Sequence, residues 1–273
     1  MSSRSTLPVC VTCGVQFDVV DPDECPVCTD ERQYVGADGQ QWTTVHRLLD
    51  THRTVVREET PGLWGVGTEP SFAIGQRALI VPGDGGNVLW DCVSTIDDAA
   101  IDRIRELGGI SAIAVSHPHY YSAMIEWSEA FGGVPVYIHE SDKRWLPRDG
   151  NVRTWSGDTL EILPGRTLIN TRVHFAGGSV LRWAGTDGRG ALCTGDIIAV
   201  AADRRWVSFM YSYPNMIPEH PDTVRRTVAL LKDVPFERIY GAWWGKVVEQ
   251  DAHGAVVRSA RRYLEHIGVA PGF

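Results

Sequence analysis

The sequence predicts an α/β domain with a small cysteine-bearing unit at its N-terminus, and three observations carry that prediction. Apolar runs of strand length recur along the chain, among them Val88-Leu89-Trp90-Asp91 and Ile110-Ser111-Ala112-Ile113-Ala114-Val115. Segments of helical periodicity stand between and after them, so strands and helices alternate rather than fall into separate blocks. Two C-x-x-C pairs precede all of this. A chain of 273 residues has room for one large domain and an accessory module, divided here as 1–40 and 41–273.

The module holds Cys10-Val11-Thr12-Cys13 and Cys25-Pro26-Val27-Cys28, with eleven residues between the inner cysteines. Each pair can form a tight knuckle, and four thiolates suit tetrahedral Zn²⁺. A zinc-ribbon-like or rubredoxin-like site is the expectation. A pair of disulfides, a redox dithiol and an iron site are the alternatives. So small a unit has little core of its own, so its folding should depend on the metal and its role should be structural.

A connector, 36–41, leads to a short helical segment, 43–49. Strands are expected at Thr54-Val55-Val56-Arg57, Ser71-Phe72-Ala73-Ile74 and Arg77-Ala78-Leu79-Ile80-Val81, separated by Gly and Pro turns. Gly83-Asp84-Gly85-Gly86 has no Lys-Ser/Thr after it and reads as a tight hairpin rather than a phosphate loop. Asp97 and Asp98 open a helix, 99–107, which Gly108-Gly109 ends. After the strand 110–115 comes Ser116-His117-Pro118-His119-Tyr120-Tyr121-Ser122, then a helix over 121–130 with Met124, Trp127 and Ala130 at helical spacing. Strands come next at 134–140 and Thr159–Leu163. The first ends near His139, which reads as a structural histidine. Helices at 223–234 and 252–267 close the chain, the latter with Val256, Ala260, Tyr263 and Leu264 on one face. The aromatic, proline-broken stretch 206–218 needs a cover, as a pocket wall or as a contact in a homodimer. His220, His253 and His266 read as surface residues.

The chemistry concentrates at strand ends. His117 and His119 lie where a strand gives way to a helix, and side chains two apart in extended backbone point the same way, towards one metal ion. His174 stands in Val173-His174-Phe175-Ala176-Gly177-Gly178-Ser179, where small residues let backbone and ligand come close. Asp196 ends the run Leu192-Cys193-Thr194-Gly195-Asp196.

Together these residues resemble the metallo-β-lactamase superfamily, with its H-x-H-x-D-H motif, a third His before a Gly-rich turn, a bridging Asp and a last His near the C-terminus. The resemblance runs from Thr54 to the C-terminal helix and implies an αββα sandwich, two sheets face to face with helices outside. It maps one complete metal site onto His117, His119, His174 and Asp196. The other site is dismantled: the motif's Asp is Tyr121, its next His is Ser122, and Gly241-Ala242-Trp243-Trp244-Gly245 has no His where the last one belongs.

The resemblance implies a single-metal hydrolase of a small ester, thioester or lactone. Three neutral imidazoles on Zn²⁺ would leave room for a water acidified towards about pH 7. Asp196 either completes the ligand set or stands outside it as general base. Tyr121 has two readings, a donor to a developing oxyanion or a ring that fills the vacated space. One alternative is iron dioxygenase chemistry, with Fe²⁺ on His117, His174 and Asp196. The other is a degenerate binding or scaffold protein. A net charge of −8 argues against nucleic acid or a membrane surface as partner, leaving a small-molecule substrate. The polar segment 1–8 has no signal-peptide character, no run approaches about 20 apolar residues, and the cysteines suit a reducing compartment, so a cytoplasmic location is expected.

Overall fold

The computed structural model describes residues 6–273; the first five residues of the 1–40 unit lie outside it. Among the described residues, nineteen short strands and five α-helices follow one another in chain order. Two sheets organise them. The first has seven strands in sequential order: β3 (Arg53–Thr60), β4 (Leu63–Glu69), β5 (Ala78–Val81), β6 (Val88–Trp90), β7 (Ala112–Ala114), β8 (Val136–His139) and β9 (Val152–Trp155). Its early pairs are antiparallel hairpins, and from β6 to β9 it runs parallel. Parallel neighbours need a crossover, and α2 (Asp98–Glu106) and α3 (Met124–Ala130) supply two of them. The second sheet orders β10 (Thr159–Leu163), β11 (Arg166–Asn170), β12 (Ser179–Trp183), β13 (Ala191–Gly195), β18 (Arg238–Gly241) and β19 (Val247–Val248).

Three apolar layers show how the sheets stack. Leu79, Val88, Trp90 and Ala114 from the first sheet interdigitate with Leu168, Leu181, Cys193 and Tyr240 from the second. Behind the second sheet, Val180, Leu192 and Ile239 pack against Val224 and Leu231 of α4 (Pro221–Leu231) and Val256 and Leu264 of α5 (Ala252–His266). Behind the first, Leu89, Ile113 and Val136 pack against Ile101 and Ile104 of α2 and Met124 and Trp127 of α3. Helix, sheet, sheet, helix is the αββα arrangement. Among the described residues no helix is long and apolar enough to cross a membrane.

The third layer also takes in the cysteine unit. Val9, Val15, Phe17 and Val27 belong to the same buried cluster as Ile113 and Val136. Its strand β1 (Pro8–Cys10) pairs with β2 (Trp42–Thr44), across residues 40 and 41 where the sequence places the join. Sγ of Cys10 lies 3.6 Å from that of Cys28, and Cys13 and Cys25 stand at 3.6 Å too. Four sulfurs at about 2.3 Å from one zinc would lie about 3.8 Å apart. Gln40 holds the cluster from outside, its Nε2 on Cys10 Sγ at 3.2 Å and its Oε1 accepting from Cys25 N. Hydrogen bonds from its three neighbours favour the Cys10 thiolate, while burial pushes the Cys13 thiol up. The unit docks through Gly14, at φ 81°, whose carbonyl accepts from Ser94 Oγ at 2.7 Å, and through Gln16 N on the Ser122 carbonyl.

Local structure departs from the sequence expectation in four places. Residues 71–74 form a turn, with Ala73 at φ 52° and Gly75 N on Phe72 O, rather than a strand. The strand is β4 instead. Its Gly65 and Gly67, which read as breakers, leave room for the Trp244 indole, which a Cβ at either would meet within 3 Å. The segment 43–49 divides into β2 and α1 (Val45–Leu48), with Thr44 capping Arg47 N at 3.1 Å. The helix expected over 121–130 begins at Met124, because Pro118–Tyr120 makes a 3₁₀ turn and Ser122 sits at φ 43°.

Candidate metal centre

The centre is assembled from three strand ends. β7 delivers His117 in extended backbone (φ −170°), and the 3₁₀ turn carries His119 behind it. The turn between β11 and β12 carries His174, and Asp196 follows β13 directly. The three imidazoles are 1 to 3% exposed and lie with ring centroids 4.9 to 5.1 Å apart. One nitrogen of each falls within 4.8 Å of the other two.

Two of the rings are oriented by what their other atoms touch. His174 Nδ1–H donates to the Tyr211 carbonyl at 2.7 Å, which leaves Nε2 bare and 3.0 Å from His119 Nδ1. Two nitrogens on one tetrahedral zinc would stand about 3.3 Å apart. His174 itself holds φ 68°, a left-handed conformation that a non-glycine residue adopts at a cost of about 1–3 kcal/mol. The Glu219 carboxylate accepts its backbone N–H at 2.7 Å and holds the turn there. His117 Nδ1 meets Ser116 Oγ at 2.9 Å, and its Nε2 turns to Asp196 Oδ1 at 3.4 Å. His117 Nε2, His119 Nε2 and Asp196 Oδ1 are buried without a hydrogen-bond partner. Groups left like this cost a fold free energy unless something absent from the polypeptide satisfies them.

The electrostatics fit a cation. Burial holds the His117 and His119 imidazoles well below their ordinary range, with His174 adding to the effect, so both are neutral lone-pair donors. Burial raises the Asp196 carboxyl, and His174 works against that shift. Nearby, Asp91 accepts the Ser116 backbone N–H at 2.8 Å, and burial pushes its carboxyl up to about 7. Three histidines and a carboxylate around unpartnered atoms are a donor set for a divalent ion. The set that converges is the three histidines, with Asp196 beside it.

The other predicted positions behave differently. Tyr121 is buried, and its hydroxyl donates to the Asp142 carbonyl at 3.4 Å rather than lining the cleft; its ring fills space. The oxyanion-donor role of Tyr121 is therefore corrected: the phenol is turned to another element. Ser122 Oγ accepts from Gln76 Nε2 at 3.1 Å. Trp243, in the stretch where a last histidine was sought, walls the cleft, its Nε1 on the Ile74 carbonyl at 3.2 Å. The second set of ligands is thus replaced by packing. His139 is structural, held by Asn170 Nδ2, Gly157 O and Ser141 N and packed edge-on against Trp155.

The cleft above the histidines encloses about 270 Å³ between Thr12, Gln33 and Tyr34 of the cysteine unit, Ala73 and Ile74, Trp243, and Tyr213 and Pro214. Tyr213 donates to the Asp196 carbonyl at 2.9 Å. The aromatic stretch 206–218 therefore supplies cleft wall. It also docks the unit: Ser212 Oγ donates to Arg32 O and Asn215 Nδ2 to Glu31 O and Gln33 O. Sequence reasoning missed Glu219, Ser116 and the cysteine-unit residues, since none carries a ligand pattern. Trp243 had one signal, its place within Gly241-Ala242-Trp243-Trp244-Gly245.

Comparisons with known proteins agree with this architecture. The chain is 50% identical over 263 residues to the uncharacterized protein YmaE of Bacillus subtilis strain 168, covering 94% of this chain and 95% of that one. Two solved structures share the fold: VMB-1 (TM-score 0.58, 14% identity, 79% of this chain and 98% of that one) and the DIM-1 metallo-β-lactamase exposed to ceftazidime (TM-score 0.59, 13%, 79% and 98%). Residues 75–243 match the metallo-β-lactamase superfamily, and with the three-histidine centre at its sheet ends the chain belongs to that superfamily.

Proposed function

We propose that the protein is a mononuclear metal-dependent hydrolase of small esters, thioesters or lactones, with zinc in the histidine cleft and a second, structural zinc on the four cysteines. The observation that supports it most is the convergence of three buried imidazoles on a cleft bounded by one carboxylate. A divalent ion held by His117, His119 and His174 supplies Lewis acidity and a water that ionises near neutral pH. The chain's own residues do the rest. Tyr211, through its carbonyl, fixes which nitrogen of His174 is free, and Ser116 Oγ engages Nδ1 of His117 so that Nε2 is the nitrogen turned to the cleft. Asp196 Oδ1, outside the converging set and unpartnered, is placed to accept a proton from the attacking water and return it to the leaving group. Trp243, Ile74 and Tyr213 give the cleft apolar and aromatic walls. None of the six cysteines is joined in a disulfide, which favours a reducing, cytoplasmic setting.

The test is metal content of protein purified without added metal. Wild type should hold about two zinc per chain. Cys10→Ser/Cys13→Ser should lose one, and His117→Ala/His174→Ala the other together with ester turnover. Iron lost with the histidines would instead support the dioxygenase reading. Zinc lost only with the cysteines would remove the hydrolase.

A further inference from the structure

We propose that the cysteine unit is the specificity wall of the histidine cleft and selects compact, uncharged acyl compounds. This rests on the hydrolase reading and deepens it. Thr12, Gln33 and Tyr34 face His119, His174 and Asp196 across about 270 Å³, below the roughly 300 Å³ at which drug-sized pockets begin. No Lys or Arg is among the residues that line this space. Arg32, the guanidinium whose field reaches the histidines, is not among the residues lining the cleft and is bonded through one nitrogen only, its Nε being buried without a hydrogen bond. It pairs with Asp30 at 2.7 Å and lies 4.5 Å from the Phe175 ring centre and 4.6 Å from that of Tyr211. A carboxylate or phosphate on the substrate would lose its hydration without gaining a cationic side chain, and would lie in the same space as the Asp196 carboxyl. Gln33 adds a positive requirement. It is 6% exposed, and its buried Oε1 has no hydrogen-bond partner, so a turn of the amide into the cleft would let it accept from an N–H or O–H on a neutral substrate. Tyr34, half-exposed, offers a ring to an apolar group beside Ile74 and Trp243.

The test uses the zinc-loaded full chain with 4-nitrophenyl butyrate and 4-nitrophenyl hemisuccinate, esters of similar length that differ in one carboxylate. Wild type should favour the butyrate in kcat/KM by about tenfold or more. Gln33→Ala and Tyr34→Ala should raise KM for the butyrate severalfold, with kcat within about twofold of wild type and zinc content unchanged. Tyr34→Arg should move the preference towards the hemisuccinate. A wild type that prefers the hemisuccinate, or alanine variants with unmoved KM at full zinc content, would overturn the proposal. If neither ester is cleaved, it is the hydrolase reading that falls, and calorimetry with butyranilide and succinanilate decides the wall. Preference for butyranilide, weakened in both alanine variants, supports it. Equal binding, preference for the anion or no heat at all overturns it.

Discussion

His174 shows what one residue costs and gains at this centre. A left-handed backbone, a carboxylate on its N–H and a carbonyl on its Nδ1 combine to aim a single lone pair. Asp196 is the complementary case, its buried Oδ1 without a hydrogen bond and 3.4 Å from His117 Nε2. Asp196→Asn should keep the histidine-bound metal and lower kcat by at least about a hundredfold; loss of the metal instead would make Asp196 a ligand. Asp91 is buried for support rather than chemistry. Its carboxyl is raised from 3.8 to about 7, so the folded state favours the protonated form. Unfolded chains release this proton at lower pH, so its contribution to stability is complete below about pH 4 and fades as pH rises through 7. Asp91→Asn should therefore unfold at higher temperature than wild type at about pH 8, with the advantage shrinking towards pH 4, as calorimetry across that range would show.

At the scale of elements, the turn between β11 and β12 is the part the site can least spare. A Cβ on Gly178 would meet the Val173 carbonyl at 2.0 Å, and Phe175 O at 2.9 Å. Gly178→Ala should cost about 2–4 kcal/mol in unfolding free energy and weaken metal binding at the histidines more than at the cysteines, read by thermal melts and zinc titration. The same elements show how far sequence reaches. Strands with continuous apolar runs, such as β6 and β7, were legible, as were the Asp97 cap and the Gly108-Gly109 stop of α2. β4 was not, because its two glycines are there for Trp244, a residue about 180 positions away whose demand no local pattern carries.

For the whole molecule, the strand-end place of His117 and His119 could be read from periodicity and spacing, while the sandwich and the full ligand set were read from the family resemblance that those residues carry with His174 and Asp196. The fate of the second ligand set was half legible. The absence of ligands at 121, 122 and 241–245 is in the sequence, but that Trp243 turns into the cleft while Tyr121 turns away is set by packing. The cysteine unit was read as a knuckle, whereas its place against residues 211–215 depends on contacts some 180 residues apart. That separation has a consequence for synthesis. The four clustered cysteines and the surface around Ser94 and Ser122 are translated well before residues 211–215, so a nascent chain carries a knuckle docked on one side and still open on the other. Residues 12–34 and 213–243 must both be present before the cleft has all its walls, and a chain trimmed to residues 75–243 would lack those that Thr12, Gln33, Tyr34, Ala73 and Ile74 supply.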